Sequence, residues 1–173
     1  MLPRALVSIV AVLVSASLAH AAAPGEGAPP AKKAPADAAA KQVARGRHLV
    51  KIAGCNDCHT AGYASAAGRV PQEQWLLGDT LGRRGAWGTT YPVNLRLHLA
   101  RLSEQEWVEA AGKLQARPPM PWYALREIRK PDLAAIYQFV RHLGPAGTAA
   151  PAFVPAGGEP APPFVQYPLP PKK

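Results

Sequence analysis

Apolar residues along this chain fall into three helical rhythms, separated by stretches with no rhythm. Between Asp37 and Gly54, Val43, Gly46, Val50 and Ala53 recur at spacings of three and four, which predicts a helix with one face on a core. A second pattern opens at Ser103. Ser103-Glu-Gln-Glu106 has the form of a capping box, with Leu102 and Trp107 at the staple positions around it. Trp107, Val108, Ala111 and Leu114 make its apolar face. The third begins at Pro131, whose fixed φ suits a first helical turn, and Asp132 follows near the positive end of the dipole. Leu133, Ile136, Tyr137, Val140 and Leu143 form its stripe, and Gly144-Pro145 ends it. No stretch alternates apolar and polar residues over a useful length, and nothing repeats. Residues 61–102, rich in Gly, Trp and Arg, carry little regular pattern. A loop that long inside a domain marks function or a misread element, and here it suggests a chain wrapped around something that is not protein.

The two ends differ from this middle. Arg4 precedes an apolar run from Ala5 to Ala19, and Ala19-His20-Ala21 has the form of a cleavage site, so residues 1–21 read as a secretory signal peptide cleaved near Ala21. The run is shorter than the roughly 20 apolar residues of a spanning helix, so no transmembrane anchor is expected after cleavage. No cysteine follows it to take a lipid. In a bacterium, export of this type leads to the periplasm. Residues 22–36 are rich in Ala, Pro and Gly without a large apolar side chain and read as a linker. From Pro145 to Lys173 there are nine prolines in 29 residues, a Pro-rich tail punctuated by Phe153, Val154, Phe164, Val165 and Tyr167. Composition leaves open whether those residues pin the tail or it stays disordered. The domain is therefore expected over residues 37–144. With 48% hydrophobic residues the chain is not wholly disordered, and two cysteines exclude a disulfide-dense scaffold, a four-cysteine iron–sulfur site and a Cys₄ zinc ribbon.

Those two cysteines carry the chemistry. Cys55-Asn56-Asp57-Cys58-His59 has the C-x-x-C-H form that attaches c-type haem. Two sulfurs three positions apart on a helical turn can each form a thioether to one macrocycle edge. The histidine that follows can ligate the metal through a neutral ring nitrogen, while its other nitrogen needs a fixed partner. A dithiol redox pair belongs beside a βαβ pattern, which is missing here. A zinc site needs further ligands, and no second Cys or His cluster exists in the sequence. A structural disulfide across two residues would close a very small loop and constrain little. With Met1 in the signal peptide, Met120 is the only other methionine, set in Pro118-Pro119-Met120-Pro121-Trp122, a segment expected to be rigid and extended. Packing of a core gap is the alternative role for Met120.

Around these residues the chain resembles the monohaem class I cytochromes c, most closely the cytochrome c domains and subunits of bacterial periplasmic or membrane-bound dehydrogenases. Gly46-Arg-His-Leu-Val-Lys-Ile-Ala-Gly-Cys55 is similar to that family's first helix. Gly88-Thr-Thr-Tyr-Pro-Val-Asn-Leu95 is similar to its G-T-x-Y-x-x-N-I stretch. The resemblance covers about Val43 to Gly144 and neither tail. It implies an all-α fold of three main helices with long loops around one haem c, held covalently through Cys55 and Cys58. It also implies that the Val93 carbonyl accepts the His59 N–H, and that Met120, just before the last helix, is the second axial ligand beside His59. His98 is the rival for that place. His48 is expected to pack, and His142 to complement the end of the last helix. Trp75, Trp87, Trp107, Trp122, Tyr91 and Tyr123 supply bulky side chains for its walls, most of them expected as plain core, and Arg83, Arg84 and Arg96 are candidate partners for haem carboxylates, with solvated surface the expectation for any single one.

His/Met ligation leaves no open position at the metal, which implies an electron carrier rather than an enzyme. The expected donor is a periplasmic or membrane-bound dehydrogenase, and the acceptor a terminal oxidase or another cytochrome. Fifteen basic against eight acidic side chains between residues 40 and 144 suit an acidic partner surface, and export argues against nucleic acid. Two other readings remain: a haem-bearing docking subunit that uses its tail, and a haem enzyme or gas sensor with an open distal site.

Overall fold

The computed structural model describes residues 34–169. The expected signal peptide ending at Ala21 and most of the expected linker lie outside the described residues. Among the described residues there are six α-helices and three short strands: α1 (Ala34–Ile52), α2 (Cys55–His59), β1 (Gly82–Gly85), β2 (Gly88–Thr90), α3 (Leu95–Leu99), α4 (Glu104–Lys113), α5 (Trp122–Arg126), α6 (Lys130–Leu143) and β3 (Phe164–Gln166).

The all-α expectation, with three main helices, is therefore corrected. The three rhythmic segments are the three long helices α1, α4 and α6, but three five-residue helices and a sheet accompany them. The sheet runs in the order β2-β1-β3. β1 and β2 form an antiparallel hairpin closed by Ala86 and Trp87, with Arg83 opposite Thr90 and Gly85 opposite Gly88. β3 lies parallel to β1, Gly82 opposite Phe164 and Arg84 opposite Gln166. Strands of three and four residues, Gly-Arg-Arg-Gly, Gly-Thr-Thr and Phe-Val-Gln, are too short to show an apolar alternation. Their stabilisation is backbone pairing, and for β3 it comes from residues distant in sequence.

α6 is the centre of the molecule. Leu133, Ile136, Tyr137, Phe139 and Val140 are all buried, against Trp107 and Ala111 of α4, Val50 of α1 and Leu99 of α3. Its most extensive pairing is with α1. That approach depends on Gly46, because a Cβ there would strike the Ala135 carbonyl oxygen and press on Phe139 Cβ at 2.7 Å. The Asp132 carboxylate ties the two helices further through Arg45, with Arg129 as a second partner at 3.2 Å. α4 starts at the capping box: Ser103 Oγ accepts from Glu106 N at 3.2 Å, and Glu106 Oε2 accepts from Ser103 N at 2.7 Å. Trp107 Nε1 donates to the Leu133 carbonyl at 3.0 Å and fixes α4 on α6.

The Pro-rich tail is held against the domain. Val154 exchanges both backbone hydrogen bonds with Thr89, at 2.8 and 3.0 Å, Gly82 N donates to Pro163 O at 3.0 Å, and Tyr167 N donates to Arg84 O at 2.7 Å. Prolines leave few donors in such a segment, and the sheet takes up those of Val154 and Tyr167.

Candidate functional site

α1 stops at Ile52, and Gly54, at φ +69°, turns the chain in the left-handed region that suits glycine. The chain re-enters a helix for one turn at Cys55. That turn presents Cys55, Cys58 and His59 to one cavity. It is fixed from behind: Thr60 Oγ1 donates to Asn56 Oδ1 and accepts from Leu76 N, both at 2.8 Å, and Gly78 N donates to His59 O at 2.8 Å.

The two cysteines are free and half-buried. Burial, the largest influence, pushes the Cys55 thiol up to about 11, so it is protonated at neutral pH. A thiol redox centre needs the opposite, a thiolate stabilised by positive surroundings. His59 is buried, and its Nδ1 lies 2.8 Å from the Val93 carbonyl oxygen. A carbonyl only accepts, so Nδ1 carries the proton and Nε2 keeps its lone pair. Burial lowers the His59 pKa. The Val93 hydrogen bond opposes this, and the charges of His98 and Arg83 add to the lowering. The ring is thus a neutral imidazole of fixed tautomer, the form a metal ligand requires.

The cavity has a volume of about 970 Å³. That is at the top of the roughly 300–1,000 Å³ span of cofactor sites. Its walls are mainly apolar, with Val50, Leu99, Trp107, Leu125, Ile136 and Val140 supplied by every long helix and α3 and α5. The charged side chains on its lining are basic, Arg83 and Arg117, without a carboxylate. A large flat apolar group with carboxylate substituents fits that lining. The cysteine pair and His59 at the same cavity fit a haem attached through two thioethers. Among the described residues no three His, Cys, Asp or Glu side chains converge as a metal site.

Met120 lines this cavity, from the segment between α4 and α5. The segment is a turn rather than the extended run expected from its prolines. Met120 N donates to Arg117 O at 3.3 Å, and Trp122 N to Met120 O at 2.9 Å as α5 begins. The turn is anchored on both sides. Thr90 Oγ1 donates to Pro118 O at 2.8 Å, and Arg126, stacked on Trp122, donates to Leu114 O at 2.8 Å. His98 also reaches the cavity. It stands on α3, which is capped by Asn94 directly after Val93. His48 and His142 are exposed.

The three candidate arginines have separate fates. Arg96 is buried and donates to Gly144 O, Leu143 O and Glu73 O. Arg84 pairs with Glu159 through both terminal nitrogens, at 3.0 and 3.1 Å. Arg83 faces the cavity. Of the aromatic residues, Trp107 and Tyr91 line the cavity, and Trp75 sits in the core edge-on to Tyr63 and Phe139. Trp87 packs on Tyr167, Trp122 lies under Arg126, and Tyr123 is exposed. Sequence reasoning missed Arg117 and Thr90 at the site. Of the tail residues it noted, it could not place Phe153 on the cavity wall, where Pro151 also lies. Among the described residues no helix is long and apolar enough to cross a membrane.

Comparisons with protein-family models, with curated proteins and with solved structures return no match to this chain.

Proposed function

We propose that the chain is an exported monohaem c-type cytochrome that carries electrons and has no catalytic site of its own. The observation that carries the reading is the gathering of Cys55, Cys58, His59 and Met120 on one large apolar cavity, with the His59 ring oriented by the Val93 carbonyl. Cys55 and Cys58 would hold the haem covalently, with His59 Nε2 and the Met120 thioether as axial ligands. When bound, such a group supplies a metal that exchanges single electrons at a potential raised by the thioether.

The chain's own residues account for the rest. Val93 fixes the imidazole angle and tautomer, so the ligand needs no rearrangement. The apolar walls from α1, α3, α4 and α6 would keep water from a bound metal, and Arg83 would supply a cation for carboxylate substituents. The basic excess of the domain would steer it to an acidic surface on a dehydrogenase donor, and on a terminal oxidase or second cytochrome as acceptor. Placement in the periplasm follows from the apolar leader alone. The docking-subunit alternative has less support, because Val154 and Tyr167 of the tail already donate backbone hydrogen bonds to β2 and β1.

Mass spectrometry of the mature chain, made in cells able to attach haem, tests the reading. The expected mass is the polypeptide plus one haem, and a chain without that addition overturns it. In the holoprotein, Met120→Ala should alter the ferric spectrum and lower the reduction potential. An unchanged spectrum and potential would remove Met120 from the metal.

A further inference from the structure

The tail does more than cover the sheet. Phe153 reaches the cavity wall, and the Arg117 guanidinium carbon sits 3.9 Å from the centre of its ring. Three residues on from Arg117 is Met120, whose N–H is bonded to the Arg117 carbonyl. One neighbour of Phe153, Val154, exchanges two hydrogen bonds with Thr89, and the next residue, Thr90, donates to Pro118 O at 2.8 Å. The turn carrying Met120 is therefore gripped twice by one small platform, through its arginine by the tail and through its proline carbonyl by β2. Gly88 makes the platform possible. It stands at φ +103°, and a Cβ there would strike the Val154 carbonyl oxygen. Asn94 clamps the start of the same strap by donating to Ala146 O at 2.8 Å and Thr148 O at 3.1 Å.

The geometry points to Phe153 as a positioning residue for Met120, acting through the stacked Arg117. The inference rests on Met120 being an axial ligand. A thioether is a weak ligand, and its hold on a metal depends on how narrowly its segment is confined. The tail strap supplies that confinement from outside the helical domain. Loosening it leaves the His59 side untouched and lets Met120 swing away more often, so that an added ligand competes more easily.

Imidazole titration of the ferric holoprotein reads this directly. A stacked cation–aromatic pair of this kind corresponds to between about two-fold and about thirty-fold in an equilibrium constant. Phe153→Ala should raise the affinity for imidazole by a factor in that range, and Arg117→Gln should do the same. Phe153→Tyr, which keeps the ring face, should restore the wild-type value, and the double variant should add little to either single one. If Met120→Ala raises imidazole affinity while both Phe153→Ala and Arg117→Gln leave it at the wild-type value, the positioning role is overturned. If Met120→Ala itself changes nothing, the ligation reading has failed and this inference falls with it. Should Phe153→Ala not accumulate as holoprotein, Arg117→Gln carries the same test with the tail residue intact.

Discussion

Replacing Arg96 separates the stability of this fold from the chemistry of its cavity. The guanidinium sits on α3, only 7% exposed, and donates to Gly144 O and Leu143 O at 2.5 Å and Glu73 O at 2.8 Å. The first two carbonyls close the C-terminal end of α6. They have no partner within the helix, and they lie at the negative end of its dipole. Hydrogen bonds to a charged group contribute about 1.5–3 kcal/mol each. Three would sum to more than a real site delivers, because water repairs part of the loss. Arg96→Ala is therefore expected to cost about 3–5 kcal/mol, against a total stability of about 5–15 kcal/mol. Arg96→Lys keeps the charge but can point at only one carbonyl well, and should recover only part of that. Urea unfolding measures the loss, which corresponds to a fall of roughly 6–20 °C in Tm for a chain of this size. The spectrum of the proposed haem should be the same in the folded variant as in the wild type. A loss below about 1 kcal/mol, or a lysine variant equal to wild type, would refute this account of the site.

Arg96 also shows where sequence reading stops. Placing an arginine in the loop is possible from the residue string, but which carbonyls converge on it depends on Glu73, Leu143 and Gly144 meeting in space. The same holds for β3, whose residues pair with β1 across some eighty positions, and for Phe153, whose partner Arg117 belongs to another loop. Local chemistry was legible. Ser103 and Glu106 cap each other within one turn, the α6 stripe follows the helical period, and the cysteine–histidine motif needs only its own turn of helix. The five-residue helices α3 and α5 are too short to show a period. The hairpin is glycine and arginine where a strand pattern would show alternation, so an all-α reading of that loop was the natural and mistaken one.

The remaining predictions concern the α1–α6 contact that supports the Cys55–His59 turn. Gly46→Ala gains about 1 kcal/mol of helix propensity but drives a methyl group into the α6 backbone at Ala135, which has no side-chain freedom to yield. Overpacking costs about 1–3 kcal/mol and should win, so the variant is expected to melt at lower temperature, and a raised Tm would contradict the close crossing. Asp132 gives a pH signature. Its hydrogen bond from Arg45, and then Arg129, holds the carboxyl below its ordinary value of 3.8, although burial works the other way. A carboxyl whose pKa is lower in the folded chain binds its proton more readily when unfolded. Its contribution is therefore complete above about pH 3.8 and disappears as pH falls through the folded value. Comparing Asp132→Asn with wild type by urea unfolding, step by step from pH 7 into acid, isolates that contribution, since every other titrating group is common to both chains. The stability gap should be level down to about pH 4 and then close. A gap that persists unchanged into strong acid would mean that the carboxylate's charge is not what joins α1 to α6.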